Sequence, residues 1–364
     1  MANPSPPPLT ALPLEIIHHV VQSFVDDLGR ANNVTSLLTT SKQLHAIVLP
    51  KLYSSIHLRS LSQVDSFLFP SSAARRICAD LTTGTFRVDI AGVPGGGDGG
   101  GLADEQRLAT DRLLRVSRAL LLCPNVAHVS FEFFSLRHSE FTTPTEFRLA
   151  ERHTFEAAVR QLARLKSFYW GPPKAEATNI QGLSIAVVDS VVGPLVAGLM
   201  SDKAHFERLE LRNAMLPTLG GGLNVLRAAL SFLQSIKTDA PATSGPGEVQ
   251  TEAQAQRIKL TMSSVTNVDP CLVAGLVIGI AQPALGKLRP QESNAIEVHV
   301  TDAFVESVWG PRLDTDQVKK AIYELFEWDE AVGPGNPLDP DSLERKAWIQ
   351  RALSRLRIEQ RSVT

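Results

Sequence analysis

The residues with the most obvious chemical reach are Gly95-Gly96-Gly97-Asp98-Gly99-Gly100-Gly101. They contain a formal GxGxxG, placed after an expected strand (Phe86–Ile90) and before an expected helix from about Ala103. In a dinucleotide-binding unit such glycines let the backbone approach a pyrophosphate at a helix N-terminus. Glu132 ends the next expected strand, but it lies 32 residues after Gly100, where the ribose-binding acid is expected after about 20. Six glycines around one aspartate also meet the formal pattern at almost any register, so a flexible surface loop is the preferred reading. The nine histidines include no HExxH, and the adjacent His18 and His19 point to different sides of a helix instead of converging on a metal. Asp26-Asp27 falls in a turn, and no GxSxG elbow, P-loop lysine, kinase signature or EF-hand loop occurs. No catalytic residue, metal ligand or cofactor is assigned, and nothing here favours an enzyme.

The composition bounds what the elements around these residues can be. The chain has 364 residues, 43% hydrophobic and 20% charged, which is the profile of a folded soluble protein of one large domain or two to three ordinary ones. Its 36 basic and 38 acidic side chains leave a formal charge of −2, so no overall field recruits nucleic acid or an anionic membrane, and neither is expected as a partner. Cys78, Cys123 and Cys271 are far apart and odd in number, which supports neither a disulfide framework nor a cysteine-rich zinc site and suits a reducing compartment. The start, MANPSPPPLT, reads as a disordered lead over 1–9 without a secretory signal. The apolar run Cys271–Ala281 is only eleven residues against the roughly 20 of a membrane span. Leu183–Met200 is interrupted by Asp189 and Gly193-Pro194, and both read as buried core segments. The expected location is cytoplasmic, nuclear or both.

From Leu12, the segment LPLEIIHHVVQSF places Ile17, Val20, Val21 and Phe24 at i, i+3, i+4 and i+7, one apolar stripe of a helix. Pro13 fits the first turn, where its missing N–H costs nothing, and Glu15 suits the positive end of the dipole. After a polar turn over Asp26–Asn33, VTSLLTTSKQLHAIV repeats the pattern with Val34, Leu37, Leu38, Ser41, Leu44 and Val48, Asn33 being the expected N-cap. Leu49-Pro50-Lys51-Leu52-Tyr53 then turns the chain into a strand-like Ile56-His57-Leu58.

Leu12-Pro13-x-Glu15-Ile16, the helix carrying Leu37-Leu38 and Ser41-Lys42-x-Leu44, and the exit Leu49-Pro50-x-Leu52-Tyr53 resemble, in order and spacing, the F-box, in particular the F-box-like form of fungal proteins. The likeness covers about residues 10–58. Thr40 stands where that family usually has an aliphatic residue, and Leu44 where an aromatic is frequent. The resemblance implies a three-helix module that docks a Skp-type adaptor of an SCF ubiquitin ligase, and through it the cullin and RING subunits. The residues it puts on the docking face are Leu12, Pro13, Glu15, Ile16, Val20, Leu37, Leu38, Ser41 and Leu44. Physically, two short amphipathic helices cannot close a core alone, so their stripes must pack on the rest of the chain, on a partner or on both.

Beyond residue 59, apolar-x-apolar segments recur at Phe86-Arg87-Val88, Val129-Ser130-Phe131, Phe168-Tyr169-Trp170, Leu209-Glu210-Leu211, Ile258-Lys259-Leu260 and Ile296-Glu297-Val298, their first positions 43, 39, 41, 49 and 38 residues apart. Helical stripes lie between them, such as Phe155, Ala158, Val159 and Leu162, and Leu226, Ala229, Leu230 and Leu233. One strand and one helix per roughly 40 residues implies parallel strands with right-handed crossovers, in an irregular solenoid over 59–312 with flexible loops at 91–102 and 237–256. This resembles the leucine-rich-repeat array that often follows an F-box, without the usual asparagine after the strand. An ordinary α/β domain with a parallel sheet is the competing reading.

Alternation across the strands sends the residues between the apolar pairs to the opposite face. Arg87, Asp89, His128, Ser130, Glu132, Tyr169, Arg208, Glu210, Arg212, Lys259, Thr261, Glu297 and His299 are therefore the candidate substrate-binding surface, and their mixed charge suits a protein partner better than phosphate. The stripe Val318, Ala321, Ile322, Leu325 and Phe326 and a helix over Leu343–Glu359 are expected to form a helical cap at 313–364. The whole reads as an α/β chain: an F-box-like helical module, an irregular leucine-rich-repeat-like solenoid and a helical cap. Its expected role is to recruit an unknown protein substrate to an SCF-type ubiquitin ligase without catalysis of its own. The alternatives are a repeat scaffold for protein interaction with no ligase connection and, less favoured, a nucleotide-dependent enzyme using the Gly95–Gly101 loop.

Overall fold

The apolar-x-apolar segments are strands, and they lie side by side. The computed structural model describes residues 13–28, 38–39, 41–68, 81–91, 114–132, 146–171, 186–187, 195–199, 203, 205–216, 226–234, 257–279, 295–306, 310–330 and 343–360. In chain order the elements are α1 (Leu14–Leu28), α2 (Lys42–Ser54), β1 (Ser55–Leu58), α3 (Leu61–Leu68), β2 (Arg87–Ala91), α4 (114–121), β3 (His128–Glu132), α5 (Glu146–Gln161), β4 (Ser167–Gly171), β5 (Ala186–Val187), α6 (195–199), β6 (Arg208–Arg212), β7 (Ala214–Met215), α7 (226–234), β8 (Lys259–Ser263), α8 (Pro270–Ile278), β9 (Glu297–Thr301), α9 (Thr315–Glu330), α10 (Leu343–Ser354) and β10 (Leu356–Glu359). Eight strands form one sheet in the order β1-β2-β3-β4-β6-β8-β9-β10, every pair parallel, while β5 and β7 form a two-stranded parallel pair of their own. The protein is thus α/β, built on an eight-stranded parallel sheet whose strands follow chain order.

Register aligns two apolar rows across this sheet. One runs Ile56, Val88, Val129, Phe168, Leu209, Leu260, Val298 and Leu356; the next runs Leu58, Ile90, Phe131, Trp170, Leu211, Met262, Val300 and Ile358. Helical residues pack on these rows, among them Val116 and Leu120 of α4, Phe155 and Val159 of α5, Leu230 of α7 and Ile322 of α9, giving one continuous core. At its centre Phe131 meets Phe168 and Trp170 edge-on, with ring centroids 5.3 and 5.4 Å apart, a preferred arrangement of ring quadrupoles.

Local chemistry accounts for individual boundaries. In α8 the Asp269 side chain caps the helix by accepting the Cys271 N–H at 2.8 Å, Pro270 occupies the first turn, and Gly279 closes it with φ 77°, the left-handed conformation glycine adopts freely. Leu272–Ile278 is buried without a break, as expected of a helix inside the core. The residue after each of three strands repeats one device. Asn213, Ser264 and Asp302 all have positive φ (44°, 53° and 50°), and each donates its N–H to the last residue of the neighbouring strand: Ser263 at 2.8 Å, Thr301 at 2.8 Å and Glu359 at 3.0 Å.

Four expectations need correction. Within the stretch expected as one helix from Val34, Leu38 and Thr39 are helical and α2 starts anew after Ser41, whose Oγ accepts the Leu44 N–H at 3.1 Å; α2 runs through Pro50 to Ser54 instead of turning at Leu49-Pro50. Phe86, Ile258 and Ile296 precede their strands, so three of the six segments are offset from the others by two residues, one apolar position. Ile56-His57-Leu58 is already a strand of the main sheet. The C-terminal region is not wholly a helical cap: α10 stops at Ser354, and Leu356–Glu359 joins the sheet beside β9. Arg355, 4% exposed, fixes that change of direction by donating from Nη1 to the Val277 carbonyl at 3.1 Å, at the negative end of α8. The glycine tract at 95–101, the loop at 237–256 and Asn33 lie outside the described residues.

Candidate functional site

Two surfaces gather the sequence-predicted residues. The first is α1. Ile17 and Val21 turn inward on Ile47 and Val48 of α2, with Leu38, Leu44 and Leu52 partly buried around them. Ile16 and Val20, one turn apart, face away and remain 47% and 52% exposed. The stripe expected through Ile17, Val20 and Val21 is therefore divided: its inner edge closes a small core, and its outer edge, joined by Ile16, is an apolar strip open to water. Pro13 and Glu15 are exposed at the start of the helix, where the Pro13 carbonyl accepts the N–H of Ile16 at 3.0 Å and of Ile17 at 3.1 Å. Ser41 is exposed and spent on capping. Leu12 and Leu37 lie outside the described residues.

The second surface is the polar face of the sheet. All thirteen residues expected there stand on β2, β3, β4, β6, β8 and β9, on the side opposite the apolar rows. One row runs Arg87, His128, Ser167, Arg208, Lys259 and Glu297; the next runs His57, Asp89, Ser130, Tyr169, Glu210, Thr261, His299 and Arg357. Glu132 and Arg212 follow at the strand ends. Arg87, Asp89, His128, Ser130, Tyr169 and Arg208 contribute to the lining of a depression of about 200 Å³.

Much of the charge on this face is internally matched. Arg87 Nε donates to Asp89 Oδ2 at 2.7 Å, and His57 Nδ1 lies 3.0 Å from the same oxygen. Lys259 pairs with Glu297 at 3.6 Å, and His299 with Glu359 at 3.6 Å. Burial pushes the Asp89 carboxyl up, but the hydrogen bonds and charges of His57 and Arg87 outweigh it and hold the group below its ordinary range. His128 is held below the usual imidazole value by burial and then by Arg87, Lys166 and Arg208, against the opposing pull of Glu207. Burial raises the Tyr169 hydroxyl, with Glu132 and Glu210 adding to the rise and Arg212 opposing it, so it stays a neutral hydrogen-bonding group. The arrangement offers alternating donors and acceptors on a rigid frame, which suits an extended polar partner.

Reasoning from the repeat missed the outermost strands: His57 on β1, and Arg357 and Glu359 on β10, belong to the same polar face. The signal was present, since Ile56-His57-Leu58 and Leu356-Arg357-Ile358 have the same apolar-x-apolar form. Ser167, which shares a 2.7 Å hydrogen bond with His128 Nδ1, was missed because it starts its strand.

Among the described residues no group of three or more His, Cys, Asp or Glu side chains is placed to hold a metal, and no helix is long and apolar enough to cross a membrane. Cys123 is buried, and burial pushes its thiol up to about 12, which makes it a poor nucleophile. No protein-family model matches the chain, and no curated protein matches its sequence.

Proposed function

We propose that the chain is a substrate-recruiting adaptor of an SCF-type ubiquitin ligase, with α1 and α2 docking a Skp-type adaptor and the polar sheet face receiving a protein substrate. The observation that carries the reading is the exposed pair Ile16 and Val20 on α1, inside the segment whose Leu12-Pro13-x-Glu15-Ile16 opening resembles the F-box. Burying both in a partner contributes roughly 1.5–3 kcal/mol each in gross terms, against an association cost of about 4–15 kcal/mol, so each one matters to the balance.

The remainder of the chain reads as an irregular leucine-rich-repeat-like solenoid. Strands that neighbour each other in chain order, and the recurring left-handed residue after β6, β8 and β9, support that reading. The role is positional: a bound substrate is held at high effective concentration near a ubiquitin-loaded enzyme supplied by the complex.

The test is capture of a purified Skp-type adaptor by the full chain, comparing wild type with the double variant Ile16→Asp/Val20→Asp. Both residues face water, so the variant is expected to fold with the wild-type circular dichroism. Retention by wild type and its loss, by 100-fold or more in Kd, in the variant is the expected result. A folded wild-type chain that captures no adaptor sinks the ligase reading.

A further inference from the structure

The start of the polar face carries an arrangement whose chemistry goes beyond what substrate recruitment needs. Ser55 and His57 are two residues apart on β1 and therefore share its polar face, and Asp89 is the register partner of His57 on β2. Ser55 Oγ lies 3.1 Å from His57 Nε2, and His57 Nδ1 lies 3.0 Å from Asp89 Oδ2. A carboxylate at Nδ1 holds the proton on that nitrogen, which leaves Nε2 to accept from the Ser55 hydroxyl. Asp89 is 8% exposed and further fixed by Arg87, whereas the His57 side chain is 49% exposed and open to a substrate. Arg87 is the register partner of Ser55, and its Nε is held at 2.7 Å by Asp89 Oδ2, so the cation fixes the carboxylate that orients His57.

We propose that Ser55, His57 and Asp89 form a hydrolytic triad that cleaves carboxylic esters. The Ser55 oxygen attacks the acyl carbon while its proton passes to His57 Nε2. The C–O bond to the alcohol breaks and the alcohol leaves with that proton. Water then cleaves the acyl-serine by the reverse relay, releasing the acid. Ser55 and His57 are the catalytic residues; Asp89 is a positioning residue that acts through the imidazole. Ser55 is also the C-cap of α2, and the partial negative charge of a helix C-terminus opposes an oxyanion. The triad therefore suits activated esters and turns over slowly. The inference rests on the β1–β2 edge alone and is independent of the adaptor reading.

A fluorophosphonate probe tests it on the full chain, because its phosphorus takes the serine oxygen and expels fluoride, and mass spectrometry then reads the labelled residue. The expected result is labelling of Ser55 in the folded protein, none at that position in Ser55→Ala, and a rate at least about 100-fold lower in His57→Gln. His57 is exposed, so that variant keeps the fold. Asp89→Asn is expected to slow labelling and to alter its pH profile, which loss of packing alone would not do; p-nitrophenyl acetate hydrolysis should follow the same order. Failure of the folded wild type to react beyond a heat-unfolded control overturns the proposal. So does labelling elsewhere that persists in Ser55→Ala, or Ser55 labelling indifferent to His57→Gln.

Discussion

The N-terminal helices and the sheet bury apolar side chains on different scales. Between α1 and α2 the described buried centre is Ile17, Val21, Ile47 and Val48. The sheet and its helices share one centre running from Ile56 on β1 to Ala352 on α10. On the outer side of the helical pair Ile16 and Val20 face water. In the sheet the two apolar rows are filled from strand to strand. A small described centre with an apolar pair facing water, beside a large filled one, is the contrast on which the proposed docking role rests.

The most damaging way to challenge this contrast is to open the sheet's centre. Phe131 is fully buried and touches Phe155, Phe168 and Trp170. Phe131→Ala should cost about 3–5 kcal/mol in chemical denaturation, a transfer loss plus the cavity left behind. The loss should appear in the transition reported by Trp170 fluorescence, since that ring lies 5.4 Å away. A cost below about 1 kcal/mol would mean the aromatic centre is not what holds the frame.

A smaller change sharpens the comparison from the other side. Val48 is fully buried in the helical pair, and Val48→Ala should cost about 1–3 kcal/mol there. Hydrogen exchange is expected to speed up along α1 and α2 while the Trp170 transition stays in place. Equal weakening of both would show that the two centres unfold together and that the division is only geometric.

How much of this was legible depended on whether a pattern is local. Strand positions were readable because apolar-x-apolar segments recur at near-regular intervals, and the polar face followed from alternation alone. Register was not readable: Phe86, Ile258 and Ile296 are as apolar as the residues that enter the rows, and only the pairing of Val88, Leu260 and Val298 with their neighbours decides between them. The separate cap at Ser41 was not readable: Ser41 sits inside one continuous apolar stripe, and only its Oγ accepting the Leu44 N–H marks the start of α2 there. Leu356–Glu359 read as helix because one helical stripe led into it, while the strand is selected by an open edge on β9. The relation of Ser55, His57 and Asp89 lay beyond any motif, since it exists only once β1 and β2 pair.

The mildest perturbation addresses the seam where the two regions meet, at the first strand after the helices. Asp89 joins β2 to β1 through His57 and is held below its ordinary value of 3.8 because the His57 and Arg87 contacts outweigh burial. A carboxyl whose folded value is depressed gives stability that is fully present above its unfolded value and lost as pH falls through the folded one. Wild type should therefore lose stability on acidification below about pH 4 more steeply than Asp89→Asn, which has no charge to lose. His57→Gln should raise the folded value toward the ordinary one, so that its loss begins at the same pH, ends at a higher one and is smaller in total. Urea denaturation of the three chains between pH 5 and pH 2 measures this. Parallel curves for wild type and Asp89→Asn would show that the seam is held by the β1–β2 backbone ladder, with Asp89 spectating.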